Sequence, residues 1–335
     1  MKLRHYTIPI FVPELACPNR CVFCNQQKIS GTLCQPSDSE IHDIITERLV
    51  TIPAGSEVEI GFFGGNFTGI PLNEQEHLLL LVQPYLKQGL VSAIRLSTRP
   101  DYIDQQRLDL LKAYGVRTIE LGAQSLDEEV LKLTGRGHTV EDVRKASQMI
   151  LDNGFSLGLQ MMIGLPGDTP EKSVHTAREI VRLGATSARI YPTLVIRDTE
   201  LETLYLEGKY VPLTLEEAVA WAKAVVLIFE NAGVNIIRLG LHPSEGLLQG
   251  RNLVGGPFHV SFAELVHTEI WNELLRPLTE TATEKDISIA VAEGQLNAAV
   301  GYGGKNRDML KMNFRRVKFL SDPVLEGRAY RADYH

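Results

Sequence analysis

The chain holds only four cysteines and two tryptophans in 335 residues. So few thiols cannot form the disulfide framework of a small secreted domain. No apolar run approaches the roughly 18–20 residues that cross a bilayer, which excludes an integral helical membrane protein. Positive charge is not in excess: 34 Lys and Arg stand against 41 Asp and Glu, a net charge of −7, so the chain as a whole is no polyanion binder. Low-complexity tracts are missing too, and 44% hydrophobic with 22% charged residues excludes collagen-like, coiled-coil and disordered classes. The length suits one large α/β domain with a smaller appendage. The first 17 residues imitate a lipoprotein export signal. The apolar stretch is too short for one, however, and Pro9, Pro13 and Glu14 interrupt it, so it reads as a buried strand of a cytoplasmic protein.

Three of the four cysteines crowd into eight residues as Cys17-x3-Cys21-x2-Cys24. Clustered thiols without a disulfide framework point to metal or redox chemistry. A cubane iron–sulfur cluster normally takes four cysteines. If Cys34, ten residues on, is a packed bystander, one iron stays open to another ligand. Two alternatives remain at this point: a Cys3His zinc site using His5, and a thioredoxin-like pair of Cys21 and Cys24 at a helix start.

Strand-like runs at 7–12, 57–63, 92–97, 117–121, 156–162 and 187–191 alternate with helical patterns at 39–50, 73–88, 102–114, 127–134, 140–153 and 170–183. Strands joined by such crossovers form a parallel sheet, with its site at the C-terminal strand ends. Beyond Pro192 a long helix at 213–231, a strand at 235–239 and alternation around 287–291 and 313–319 suggest a small strand-containing extension.

The strand ends carry the polar and glycine-rich motifs. Gly64-Gly65-Asn66 follows the second strand and exposes backbone to a ligand. Arg99, in Ser97-Thr98-Arg99-Pro100-Asp101, either binds an anion or pairs with Asp101. Gln124 ends the fourth strand, and Arg136 follows with a planar fork suited to a carboxylate. Gly164-Leu165-Pro166-Gly167 follows the fifth, after the core candidates Met161 and Met162.

Together, the three-cysteine loop, the Gly-Gly turn and Gly-Leu-Pro-Gly resemble the radical S-adenosylmethionine superfamily. Ser-Thr-Arg-Pro-Asp, Gly-Ala-Gln-Ser, Arg-Gly-His-Thr-Val-Glu-Asp and the stretch Val195-Ile196-Arg197-Asp198-Thr199-Glu200-Leu201 are similar to the catalytic subunit of elongator and its bacterial relatives. The same branch is similar to the oxygen-independent coproporphyrinogen oxidases. The resemblance implies a partial (βα)6 TIM-like barrel over residues 1–200 and a small α+β C-terminal extension over 201–335. It implies one [4Fe–4S] cluster on Cys17, Cys21 and Cys24, whose fourth iron chelates S-adenosylmethionine. Reductive cleavage then yields a 5′-deoxyadenosyl radical that takes hydrogen from substrate, with flavodoxin or ferredoxin as electron donor. Gly64 and Gly65 match the element receiving the methionyl amine, and Asn66 stands where the commonest family form is acidic. Gln124 and Arg136 match positions at the ribose and methionyl carboxylate. Arg99 joins this cofactor-binding set, Gln160 occupies a ribose-side position and Phe23 one beside adenine.

Elongator relatives modify the wobble uridine of tRNA and carry an acetyltransferase domain, for which this chain has no room. Lys305, Arg307, Lys311, Arg315, Arg316 and Lys318 oppose Asp308 alone within fourteen residues, with Phe314 interleaved. That stretch is either a tRNA contact or a charged strand edge. The rival substrate is a small molecule such as a tetrapyrrole or modified nucleobase. His259 and Glu264 are candidates for an acid or base closing the barrel, and no catalytic residue beyond the cluster is assigned.

Overall fold

A computed structural model describes residues 5–12, 21–25, 28, 35–241, 245–281 and 285–335. The six expected strands are β1 (His5–Val12), β2 (Glu57–Gly64), β3 (Ala93–Thr98), β4 (Val116–Gln124), β5 (Ser156–Ile163) and β6 (Ser187–Pro192). They lie side by side in chain order and run parallel, each joined to the next across a helix-bearing connection. Seven of the helices start at a Ser, Thr or Asp whose side chain accepts an amide of the first turn: Ser37, Asp104, Asp127, Thr139, Thr169, Thr199 and Thr214. Such caps fix where each crossover turns back onto the sheet.

The strands bury one face against the helices. Ile60, Phe62, Ile94, Leu96, Ile119, Leu121, Leu157, Leu159 and Met161 are all sealed there. The alternate positions face the concave interior of the curled sheet and are polar: Glu59, Arg95, Glu120, Gln160 and Arg189. Period-two alternation makes the difference, since successive strand residues point to opposite faces.

The parallel sheet has seven strands rather than six. After β6 the chain makes a short strand β7 (Val195–Ile196) and the helix Glu200–Leu206, then crosses through the helix Leu215–Asn231 to β8 (Asn235–Leu239), which pairs parallel with β6. This is a further strand–helix–strand unit with an insertion before its helix, and the insertion disguised it. A three-residue strand, β9 (Leu253–Gly255), pairs antiparallel with β7. The extension is a second, small sheet of β10 (Asp286–Ala292), β11 (Arg316–Asp322) and β12 (Tyr330–Tyr334), in the order β11-β10-β12. The helix Phe262–Leu275 serves both cores: Phe262, Val266 and Ile270 pack on the barrel, whereas Trp271 and Leu275 pack on the extension with Ile289 and Phe314. Among the described residues no helix is long and apolar enough to cross a membrane.

Phe62 lies in the middle of the buried face, 5.1 Å from the Phe67 ring. Phe62→Ala is expected to cost about 3–5 kcal/mol, whereas Val50→Ala at an exposed helix end stays within about 0.5 kcal/mol. Urea unfolding midpoints of the two variants check this.

Candidate active site

The cysteine loop reaches the C-terminal ends of the strands. Cys21 is 7% exposed and Cys24 half-buried, and the Cys24 amide donates to the Cys21 carbonyl at 3.0 Å. Two backbone bonds clamp the residue after Cys21: the Val22 amide donates to Thr134 O at 3.1 Å, and its carbonyl accepts from the Leu201 amide at 2.7 Å. Cys21, Val22 and Phe23 then pack with Val130, Leu165, Val195, Leu201 and Tyr210, while Cys24 and Met162 lean on the same group. Burying these apolar side chains glues the loop to three separate strand ends, at roughly 1.5–3 kcal/mol for each large one. Phe23 is therefore an anchor of the loop, and Met162 packs on the loop whereas Met161 is barrel core.

Cys17 and Cys34 lie outside the described residues. Among the described residues no three Cys, His, Asp or Glu side chains gather at one point. The two bland alternatives do not fit. His5 begins β1, bonded to Glu59 at 2.9 Å, and the eight residues of that strand span roughly 25 Å, so His5 stands at the end of the sheet away from Cys21. Residues 21–24 form a turn and no helix starts at Cys21, as a thioredoxin-like pair requires.

Arg136 holds the centre. It is 6% exposed. One guanidinium nitrogen, Nη1, lies 3.1 Å from Cys21 Sγ, and Nη2 donates to the Gly122 carbonyl. Its Nε is buried without a hydrogen-bond partner. Arg99 donates through Nη2 to the Arg136 carbonyl at 2.7 Å and grips Asp101 with both arms at 2.9 Å. It thus pairs with Asp101 and orients Arg136 from behind. Asn66 is buried, and its Oδ1 accepts from Thr98 Oγ1 at 2.6 Å and from the Arg99 amide at 3.2 Å, tying the Gly-Gly turn to the end of β3.

Gly64 and Gly65 sit half-buried at the end of β2. Gly64 has φ 112°, and a Cβ there would stand 2.8 Å from the Val12 carbonyl, so glycine is required beside the end of β1. Gln124 ends β4 beyond a shift in register with β5, at φ 65°. A left-handed glutamine is strained, and such strain concentrates at functional sites. A methyl on Gly122 would meet Gln124 Nε2 at 3.1 Å and Arg136 Nη2 at 3.4 Å, so both side chains crowd over that one backbone position.

Spacing arguments missed two features. His138 is buried beside Arg136, with Nε2 near the Ala123 carbonyl at 3.3 Å and Nδ1 without a hydrogen-bond partner. Burial, then the Arg136 and Arg99 charges, lowers its pKa to about 3, so the imidazole is neutral near pH 7. Deeper in the sheet, Glu120 is 1% exposed and meets Arg95 at 3.2 Å and Arg189 at 3.0 Å. Gln160 donates to Glu120 at 3.2 Å and to Ser97 Oγ at 2.9 Å, so its amide is committed to this network, and Arg189 lies 4.9 Å over the Phe63 ring. Polar residues at every second position of otherwise apolar strands were the signal that could have found it.

The remaining candidates lie apart from Arg136. His259 Nδ1 accepts the Ser261 amide at 3.0 Å, and its ring packs edge-on against Tyr302; Glu264 is exposed. In the basic stretch Lys305 pairs with Glu269 at 3.0 Å and Arg315 with Asp286 at 2.8 Å, while Arg307 and Lys311 share Asp308 at 3.6 and 3.2 Å. Arg316 and Lys318 are exposed on β11, at the edge of its sheet, and Phe314 is buried in the extension's core rather than offered for stacking.

A family model for the radical SAM superfamily matches residues 14–180, and one for the radical SAM C-terminal domain matches residues 185–272. The chain is similar to the tRNA uridine(34) acetyltransferase of Methanocaldococcus infernus, 36% identical over 140 residues, 40% of this chain and 26% of that protein. The protein of the same name from Dehalococcoides mccartyi is 34% identical over 256 residues, 65% of this chain and 56% of that one. Human Elongator complex protein 3 is 31% identical over 193 residues, covering 51% and 35%. The solved structure of an N-terminally deleted archaeal Elp3 from Methanocaldococcus infernus superposes with a TM-score of 0.64 at 24% identity, over 82% of this chain and 65% of that one. The chain therefore spans from about a quarter to a little over half of the length of these curated relatives.

The turn after β5 supplies a pH test. Asp168 accepts from the Gly164 and Thr169 amides at 2.9 Å and from Ser173 Oγ at 2.7 Å, yet burial outweighs these bonds and lifts its pKa from 3.8 to about 6. The folded state then holds this proton more tightly than the unfolded chain. Its stabilising contribution is full below about pH 4 and is lost as pH rises through 6. Asp168→Asn should flatten stability against pH between 4 and 6, as read from urea midpoints across that range.

Proposed function

The chain belongs to the radical S-adenosylmethionine superfamily, and from that premise we propose that Cys17, Cys21 and Cys24 hold its [4Fe–4S] cluster and that the enzyme takes hydrogen from a tRNA nucleoside. The observation that carries the reading is the buried Cys21 seated against Arg136 at the C-terminal strand ends, linked through Arg99 and Asn66 to the Gly64-Gly65 turn. The residues present fit the cofactor pair. A thiol beside a fixed guanidinium suits an anionic ligand, and the unpartnered Arg136 Nε is a buried donor suited to a carboxylate. When bound, the cluster and S-adenosylmethionine supply one-electron cleavage of a sulfonium and, from it, hydrogen abstraction.

The chain's own residues do the positioning. Gly64 and Gly65 present backbone for the amine, Arg136 the carboxylate donor, and Gln124 an amide for ribose hydroxyls. Gln160, with its amide nitrogen held by Ser97 and Glu120, has its carbonyl oxygen left for that side. Arg99 and Asn66 keep Arg136 in place. His138, being neutral, adds no third positive charge beside the two guanidiniums. The packed loop around Phe23 and Tyr210 keeps water from Cys21, as reactive radical chemistry requires. A soluble donor such as flavodoxin or ferredoxin would reduce the site, in the cytoplasm.

tRNA is favoured as substrate because the relatives bear the name of tRNA uridine modification and because Arg316 and Lys318 stand exposed on the edge strand β11, directly after Arg315. The wider acetyl chemistry would belong to regions of those relatives that this chain does not match.

Two outcomes test the reading. Anaerobically purified protein should carry iron and sulfide in about equal amounts, roughly four each, and Cys21→Ala should lose the roughly 400 nm absorption together with all S-adenosylmethionine cleavage; retained cleavage, or about one zinc instead of iron, would refute it. Affinity for tRNA should fall steeply with salt, and neutralising Arg315 and Arg316 should reduce that slope by about two. Turnover indifferent to both would favour the small-molecule substrate.

A further inference from the structure

We infer that Arg136 sets the reduction potential of the cluster through its hydrogen bond to Cys21, a positioning role separate from any contact with S-adenosylmethionine. The inference rests on the proposed ligation by Cys21 and goes beyond it. The 3.1 Å contact from Nη1 places a full positive charge and an N–H donor on the same sulfur. Both favour negative charge there, so both favour the reduced cluster over the oxidised one and raise its potential. Neither partner is exposed enough for water to screen the effect, which strengthens it relative to a surface contact.

The guanidinium cannot swing away. Its Nη2 is held by the Gly122 carbonyl, its backbone amide donates to Leu131 O at 3.1 Å, and its carbonyl is gripped by Arg99, which Asp101 fixes in turn. Lysine has one point charge and cannot span Gly122 O and Cys21 Sγ together, so a fork is needed here. The neighbouring Val22 is fastened by Thr134 and Leu201 independently of Arg136, so the loop retains anchors when the guanidinium is removed.

The test is the midpoint potential of reconstituted protein, followed by electron paramagnetic resonance during a redox titration with no S-adenosylmethionine present. Leaving the co-substrate out removes the carboxylate contact from the comparison. Arg136→Gln should lower the potential so that the reduced-to-oxidised ratio at a fixed solution potential falls about tenfold, which is about 59 mV for one electron. Arg136→Lys, which keeps the charge and loses the fork, should shift in the same direction by less. An unchanged potential in Arg136→Gln with full iron and sulfide would overturn the inference and leave the cluster assignment standing. Loss of the cluster from both variants would also overturn it, reducing Arg136 to a prop of the loop. A cluster missing from the unaltered protein would instead sink the functional reading beneath it.

Discussion

The guanidinium of Arg136 is where the cysteine loop meets the barrel. One nitrogen touches Cys21, another the Gly122 carbonyl, and the residue's own carbonyl is held by Arg99. Followed outward, the same chain of bonds runs through Thr98 and Asn66 to the turn after β2. The ends of β2, β3 and β4 and the cysteine loop are thereby tied into one buried polar unit. A buried guanidinium is costly unless its donors find partners, so each element that supplies an acceptor is constrained to stand where it does. The tension built into Gln124 and the unpartnered Nε of Arg136 fall at the same spot.

A second polar layer lies deeper in the barrel. Glu120 holds Arg95 and Arg189, and Glu59 meets Arg95 at 2.9 Å and His5 also at 2.9 Å. Carboxylates and guanidiniums here face one another, so the interior is filled by paired charges rather than by the apolar layers of a closed barrel. Among the described residues the seven-stranded sheet runs from β1 to β8 without the two edges pairing, and the glycine turns and the cysteine loop converge at its C-terminal ends. The helix Phe262–Leu275, shared by both cores, fastens the small sheet to this frame.

Much of this was legible in the chain because the signals were local. The six strands of the expected barrel fall within a few residues of their observed bounds, since alternation and helix caps act over one or two turns. β8 escaped as a barrel strand because β7 and the helix Glu200–Leu206 intervene before its crossover helix. β12 escaped because its half-exposed sequence, Tyr330–Tyr334, carries no apolar run. Phe314 looked like an aromatic among cations, but its place at the turn before β11 sends it into the extension's core. The contact between Cys21 and Arg136 joins positions 115 residues apart. No spacing rule reveals it; only the closure of the sheet brings the two together. Arg99 shows the reverse case, where the simplest neighbour in sequence, Asp101, was the partner found.

The most direct measurement is electron paramagnetic resonance of dithionite-reduced, oxygen-free protein before and after S-adenosylmethionine is added. Three protein thiolates and one exchangeable corner require a cubane signal whose g values move when the co-substrate binds. A sample without such a signal, or one whose signal is indifferent to S-adenosylmethionine, would contradict the account.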